Sequence, residues 1–216
     1  DLADIGRNDE AIEHLKTVLA QDPDDMKAYL ALGGVYAAKE DYRSAAELYD
    51  KAVARIPNPT ADDWTIFYRR GIAFERLKEW PKAEPDFKEA LKLSPDQPQV
   101  LNYLGYSWID MDINLEEGLK LIRKAVDQRP SDGYIVDSLG WAYYKLGRYE
   151  DALVQLQRAV SLKPEDPVLN DHLGDALWRV GRKLEATYQW RHASDMKPDA
   201  QTLASVQKKL AEGLPP

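Results

Sequence analysis

The chain has 216 residues, with 29 Lys and Arg against 37 Asp and Glu, a net charge of −8 and no cysteine. Disulfides and thiolate chemistry are excluded, the lack of a basic stripe argues against nucleic acid as a partner, and no run approaches the ~20 apolar residues of a membrane span. Six Trp and 12 Tyr against three Phe make an aromatic population with polar handles, suited to partly exposed surfaces.

Residues 9–21 place Ile12, Leu15 and Leu19 on one face of a helix, and the chain opens there at Asp1 as if in mid-repeat. The numbering is therefore expected to begin inside something larger. With no partner helix ahead of it, that face is expected to stay partly bare and to favour end-to-end self-association.

From there a pattern recurs. Gly33, Gly71, Gly105, Gly140 and Gly174 are separated by 38, 34, 35 and 34 residues, and each is followed three places on by Tyr36, Phe74, Trp108, Tyr143 or Leu177. Pro23, Pro57, Pro95, Pro130, Pro164 and Pro198 keep the same period. Periods of this size mean stacked supersecondary units. Repeats are read at 26–59, 64–97, 98–132, 133–166 and 167–200, preceded by a half repeat over 1–25. In the fourth, Ala152, Leu153, Leu156, Ala159 and Val160 share one helical face, while Gln155, Gln157 and Arg158 are expected to be wet. Small residues mark the close crossings, Gly147 ends a first helix, and Pro164 ends a second.

Three departures break the regularity. Thr60 to Asp63 lengthen a junction and are expected to change the pitch. The stretch from Asp110 to Glu117 lengthens a turn by one residue, and Gly118 stands where Ala is usual. Pro85 is expected to cost a backbone hydrogen bond, whereas Pro81 suits a first helical turn. Beyond Pro198, Leu203, Val206 and Leu210 form the inner face of a terminal helix over 201–212, with Gln207, Lys208 and Lys209 facing away as a solubilising cap requires.

The runs Leu32-Gly33 with Tyr36, Ala45, Tyr49, Ala52 and Pro57, and Leu139-Gly140 with Tyr143, Ala152, Leu156, Ala159 and Pro164, resemble the tetratricopeptide-repeat family. The resemblance covers nearly the whole chain. It implies an all-α, right-handed α-solenoid of antiparallel helix pairs acting as a protein-binding scaffold. The run from Leu101 to Trp108, with Asp132-Gly133-Tyr134 and Asp137 to Trp141, is similar to the C-terminal repeats of bacterial cell-envelope adaptors of this family. That likeness implies a periplasmic or envelope setting, and the cysteine-free composition suits reducing and oxidising spaces alike.

No catalytic constellation is visible, and the chain is expected not to be an enzyme. Asp110, Asp112 and Asn114 imitate a calcium loop, but Leu115 and Leu121 occupy its glycine and glutamate slots. His172 with Asp171 and Asp175 lacks a third fixed ligand and reads as a solvated helix face. No metal or cofactor is implied, and no phosphate loop or nucleophile elbow occurs.

The family resemblance instead implies a groove lined by the second, fifth, ninth and twelfth residues of each repeat. Lys27, Leu30, Gly34 and Ala37 occupy these positions in the first repeat. The candidate partner-binding residues among the later ones are Tyr68, then Asn102 and Tyr106, then Tyr134, Asp137, Trp141 and Tyr144, then Asp171, Asp175 and Trp178. The Lys and Asn clamp with which some relatives grip chaperone termini is absent. Aromatic and acidic residues together suit an extended protein segment that is apolar and basic. The competing reading packs Trp141, Tyr144 and Trp178 between helices. Two other functional classes stay open at this point, a self-assembling structural module and the regulatory arm of an enzyme.

Overall fold

The computed structural model describes residues 2–216, with residues 2–5 as backbone alone. Among the described residues the regular structure is helical: α1 (Leu2–Gln21), α2 (Met26–Ala38), α3 (Tyr42–Ala54), α4 (Trp64–Arg76), α5 (Trp80–Leu93), α6 (Pro98–Asp110), α7 (Leu115–Gln128), α8 (Gly133–Lys145), α9 (Tyr149–Leu162), α10 (Pro167–Arg179), α11 (Lys183–Asp195) and α12 (Ala200–Glu212). This is an all-α solenoid of helix pairs. The chain divides into two compact units, Asp1–Pro95 and Asp96–Pro216.

Local chemistry sets the helix ends. Asp25, Asp41, Asp132, Asp166 and Asp199 each accept a hydrogen bond from a first-turn amide of the helix that follows, filling donors that a helix start leaves unpaired. The turn inside each pair carries a left-handed residue, Glu40, Lys78, Asp112, Gly147 or Gly181, and the longer α6–α7 turn adds a second at Asn114. In the fourth repeat the Gly147 amide donates to the Tyr144 carbonyl and the Arg148 amide to the Tyr143 carbonyl, which closes α8 and turns the chain.

In the first unit, Ile12, Tyr29, Leu32, Leu48, Ala52 and Ile66 form a buried cluster, with Leu15 and Leu19 packed against it. On the α1 face expected to stay partly bare, Ile12 is buried in this cluster, while Leu15 and Leu19 remain half-buried. The Arg70 guanidinium joins three helices, donating twice to Asp86 of α5 at 2.8 and 2.7 Å and once to Asp50 of α3 at 3.1 Å. Thr60 to Asp63 form a capped 3-10 turn leading into α4. Helix α5 runs through Pro85, which lies on its exposed side.

In the second unit the departure at Gly118 has a physical cause. A Cβ on Gly105 would lie 2.8 Å from the Gly118 carbonyl oxygen, and one on Gly118 would lie 2.9 Å from the Gly105 carbonyl oxygen. The backbones of α6 and α7 meet directly, so neither position has room for a side chain. The face of α9 with Ala152, Leu153, Leu156 and Ala159 is buried. Gln155 departs from the wet face expected for it. Its side chain is half-buried with Oε1 shielded and unbonded, while Gln157 and Arg158 are exposed.

Candidate functional site

Within the second unit, α8 packs on α6, α10 on α8 and α12 on α10, so the first helices of successive repeats stand side by side as one wall. On the wall the Trp141 ring stacks on Tyr144, with centroids 4.7 Å apart at 6°, and on His172 of α10 at 4.2 Å and 16°. Both Trp141 and Tyr144 remain half-buried. The Tyr144 hydroxyl accepts from Arg179 Nε at 3.2 Å and raises no charge of its own, since burial pushes its titration upward.

The three aspartates are not exposed. Asp137, Asp171 and Asp175 retain 5%, 8% and 4% of their surface, and each is engaged within the fold. Both Asp137 carboxylate oxygens lie 3.0 Å from His172 Nδ1. The Lys209 ammonium of α12 donates to Asp171 at 2.7 Å and to Asp175 at 2.9 Å, and Trp190 Nε1 donates to Asp175 at 3.0 Å. This corrects the reading of these residues as free groove carboxylates, because carboxylates this far from water need bonded partners. It also corrects His172 from a solvated residue to a buried one, and Lys209 from outward-facing to inward-facing.

Electrostatics follow the packing. Burial opposes a charged His172, but Asp137, with Asp171 and Asp175 behind it, outweighs that and holds its titration above the ordinary histidine value. Burial likewise opposes a charged Lys209, and Asp175 and Asp171 more than offset it. The Asp175 carboxyl is pushed up by burial against the pull of Lys209.

The remaining candidates are dispersed. Tyr106 is half-buried, and burial, with Asp110 and Asp137 adding, pushes its hydroxyl well above the usual phenol range. Asn102 is half-buried with Oδ1 shielded and unbonded, as are Gln99 Oε1 and Trp141 Nε1. Tyr134 is 52% exposed at the start of α8, under the Lys163 ammonium at 4.7 Å, away from the stack. Trp178 sits 5.3 Å from Trp190 and is covered by Gly213, where a side chain would strike its ring. Tyr68 belongs to the first unit. Sequence reasoning missed His172, Arg179 and Lys209 as members of the wall. Carrying the 34-residue frame one further unit, from 201, puts Lys209 at the ninth position, the same slot as Asp175.

Among the described residues no cluster of three or more His, Asp and Glu is arranged to hold a metal, and no helix is long and apolar enough to cross a membrane. Paired helices repeating at 34 residues, crossing at Gly and Ala, define a tetratricopeptide-repeat protein. The family model described as the Cilia and flagella-associated protein 70 C-terminal domain matches residues 3–212, and the chain belongs to that family. TPR repeat-containing protein PA4667 of Pseudomonas aeruginosa is 30% identical over 152 residues, covering 70% of this chain and 25% of the relative. The chain spans a quarter or less of the curated relatives it matches. Among solved structures, the Cut9–Hcn1 hetero-tetramer of the APC/C matches with a TM-score of 0.80 at 18% identity, covering 96% of this chain and 40% of that one. YrrB, described as a TPR protein with an unusual peptide-binding site, matches with a TM-score of 0.64 at 17% identity over 91% and 99%. Both show likeness of fold.

Proposed function

We propose that this chain is a non-catalytic scaffold whose wall of α6, α8 and α10 binds an extended protein segment through apolar side chains. Tetratricopeptide folds are in general protein-interaction modules, and the observation that carries the reading is the Tyr144–Trp141–His172 stack, whose Trp141 and Tyr144 are only half-buried on the wall. Aromatic anchors of this kind dominate binding energy where they can be fully covered. Asn102 Oδ1 and Trp141 Nε1, unbonded within the fold, match the amide and carbonyl of an extended backbone once their side chains turn toward it. Since Asp137, Asp171 and Asp175 are already bonded within the fold, basic residues of the segment find no free carboxylate among them, and apolar residues carry the recognition.

Selection of peptides from a random displayed library on the immobilised chain tests this. Enriched peptides are expected to be rich in large apolar residues and to lose at least about tenfold in affinity on Trp141→Leu, with Val154→Ala on α9 as the unaffected control. Peptides that bind Trp141→Leu and the parent protein equally would refute the site.

A further inference from the structure

Helix α11 packs on α10 and α12 and buries Ala186, Trp190 and Ala193. Its outer face carries Leu184 at 86% and Tyr188 at 67% exposure, the two most exposed large apolar side chains among the described residues. They stand one helical turn apart, and His192 continues the stripe, its ring stacked on Tyr188 at 6.2 Å and 12°. The same slots of the repeat hold Arg43 and Glu47 in α3, and Glu150 and Val154 in α9, so the fold itself does not ask for a large apolar pair there. Such a stripe left in water, rimmed by charge, marks an interaction surface.

The charges around the stripe decide what covers it. Counted from Tyr188, Glu185 lies three residues before and Arg191 three after, while Arg182 lies six before and Asp195 seven after. A face with opposite charges at matching distances on either side of its centre is complementary to itself, once a second copy is laid on it antiparallel. About a two-fold axis through Tyr188, each Glu185 meets the partner's Arg191, each Arg182 lies beside the partner's Asp195, and each Leu184 meets the partner's His192. A parallel pairing would set like charge against like, which is repulsive. Within one chain Arg182 Nε donates to Glu185 at 2.8 Å, whereas Arg191 and Asp195 are exposed and form no ion pair among the described residues. A second copy supplies the partner that each of them lacks.

We infer that the chain forms a two-fold dimer through the outer face of α11, with the two helices antiparallel across Tyr188. One helix face per protomer is narrower than the ~1,200 Å² at which stable interfaces begin, so the dimer is weak, with dissociation expected at roughly 10–100 µM. The surface lies on a second helix of its repeat, and the inference does not depend on the aromatic wall.

Sedimentation equilibrium of the full chain from about 1 to 500 µM tests this, and a monomer–dimer equilibrium is expected in that range. Leu184→Ser combined with Tyr188→Ser is expected to weaken the dimer at least about tenfold. Glu185→Arg and Arg191→Glu are each expected to weaken it at least about fivefold. The two charge reversals together are expected to restore it, because the exchanged charges again face their opposites across the axis. All four positions are exposed, so the helical circular dichroism spectrum is expected to be unchanged in every variant. A chain that stays monomeric throughout, association that survives the loss of Leu184 and Tyr188, or a double reversal that dimerises no better than the single ones each overturns the inference.

Discussion

Replacing Lys209 with methionine keeps the aliphatic stem and removes the charge. In the native fold the ammonium lies 2.7 Å from Asp171 and 2.8 Å from Asp175, and the three side chains are 14%, 11% and 5% exposed. Removing one partner of a buried ion pair leaves uncompensated charge at a cost of about 3–5 kcal/mol. Asp175 keeps its bond from Trp190, so the lower end applies, about 3 kcal/mol, which for a chain of this size is a drop of about 6–12 °C in Tm. The pH dependence has a definite sign. Burial already raises the Asp175 carboxyl against the pull of Lys209; without that pull it rises further, so the folded variant takes up a proton before the unfolded chain does. The deficit is then largest at neutral pH and shrinks toward about pH 5. Thermal denaturation of wild type and Lys209→Met at both pH values measures this. Adding Asp171→Asn and Asp175→Asn to the variant is expected to recover most of the loss, since neutral amides no longer need the cation. A Tm at neutral pH within about 1 °C of wild type would refute the buried triad.

His172 provides a second pH test: its raised titration stabilises the fold below the unfolded value of 6.5, and this is lost as pH rises through the folded value. Asp137→Asn is expected to remove that part of the pH–stability profile, as followed by urea denaturation; an unchanged profile would sink the pairing. Ala152 is fully buried at the α8–α9 crossing, so Ala152→Leu is expected to cost about 1–3 kcal/mol by overpacking. Gln157→Ala, on the exposed side of the same helix, is expected to be nearly silent, and equal melting temperatures for the two would defeat the face assignment.

The helices were legible because each is specified several times over. In α8, Asp132 caps the start, Gly140 marks the crossing and Gly147 ends it, so local and long-range signals agree. Gly118 was visible as an exception, but its reason was not. That reason is a backbone meeting Gly105 in space, which no single helix encodes.

The candidate site was legible only by position. The frame located Trp141, Asp137, Asp171 and Asp175 on the first helices, yet whether a carboxylate there is free depends on what the neighbouring helix presents, and that neighbour lies about one repeat further along the chain. Asp137 meets His172, and Asp171 and Asp175 meet Lys209, each partner being one repeat on in sequence and adjacent in space. In a solenoid this is the natural range of coupling, since each unit touches only its neighbours. The charge at one groove position is therefore set by the pair of repeats, and reading a repeat alone overstates how much of its surface is offered to a partner.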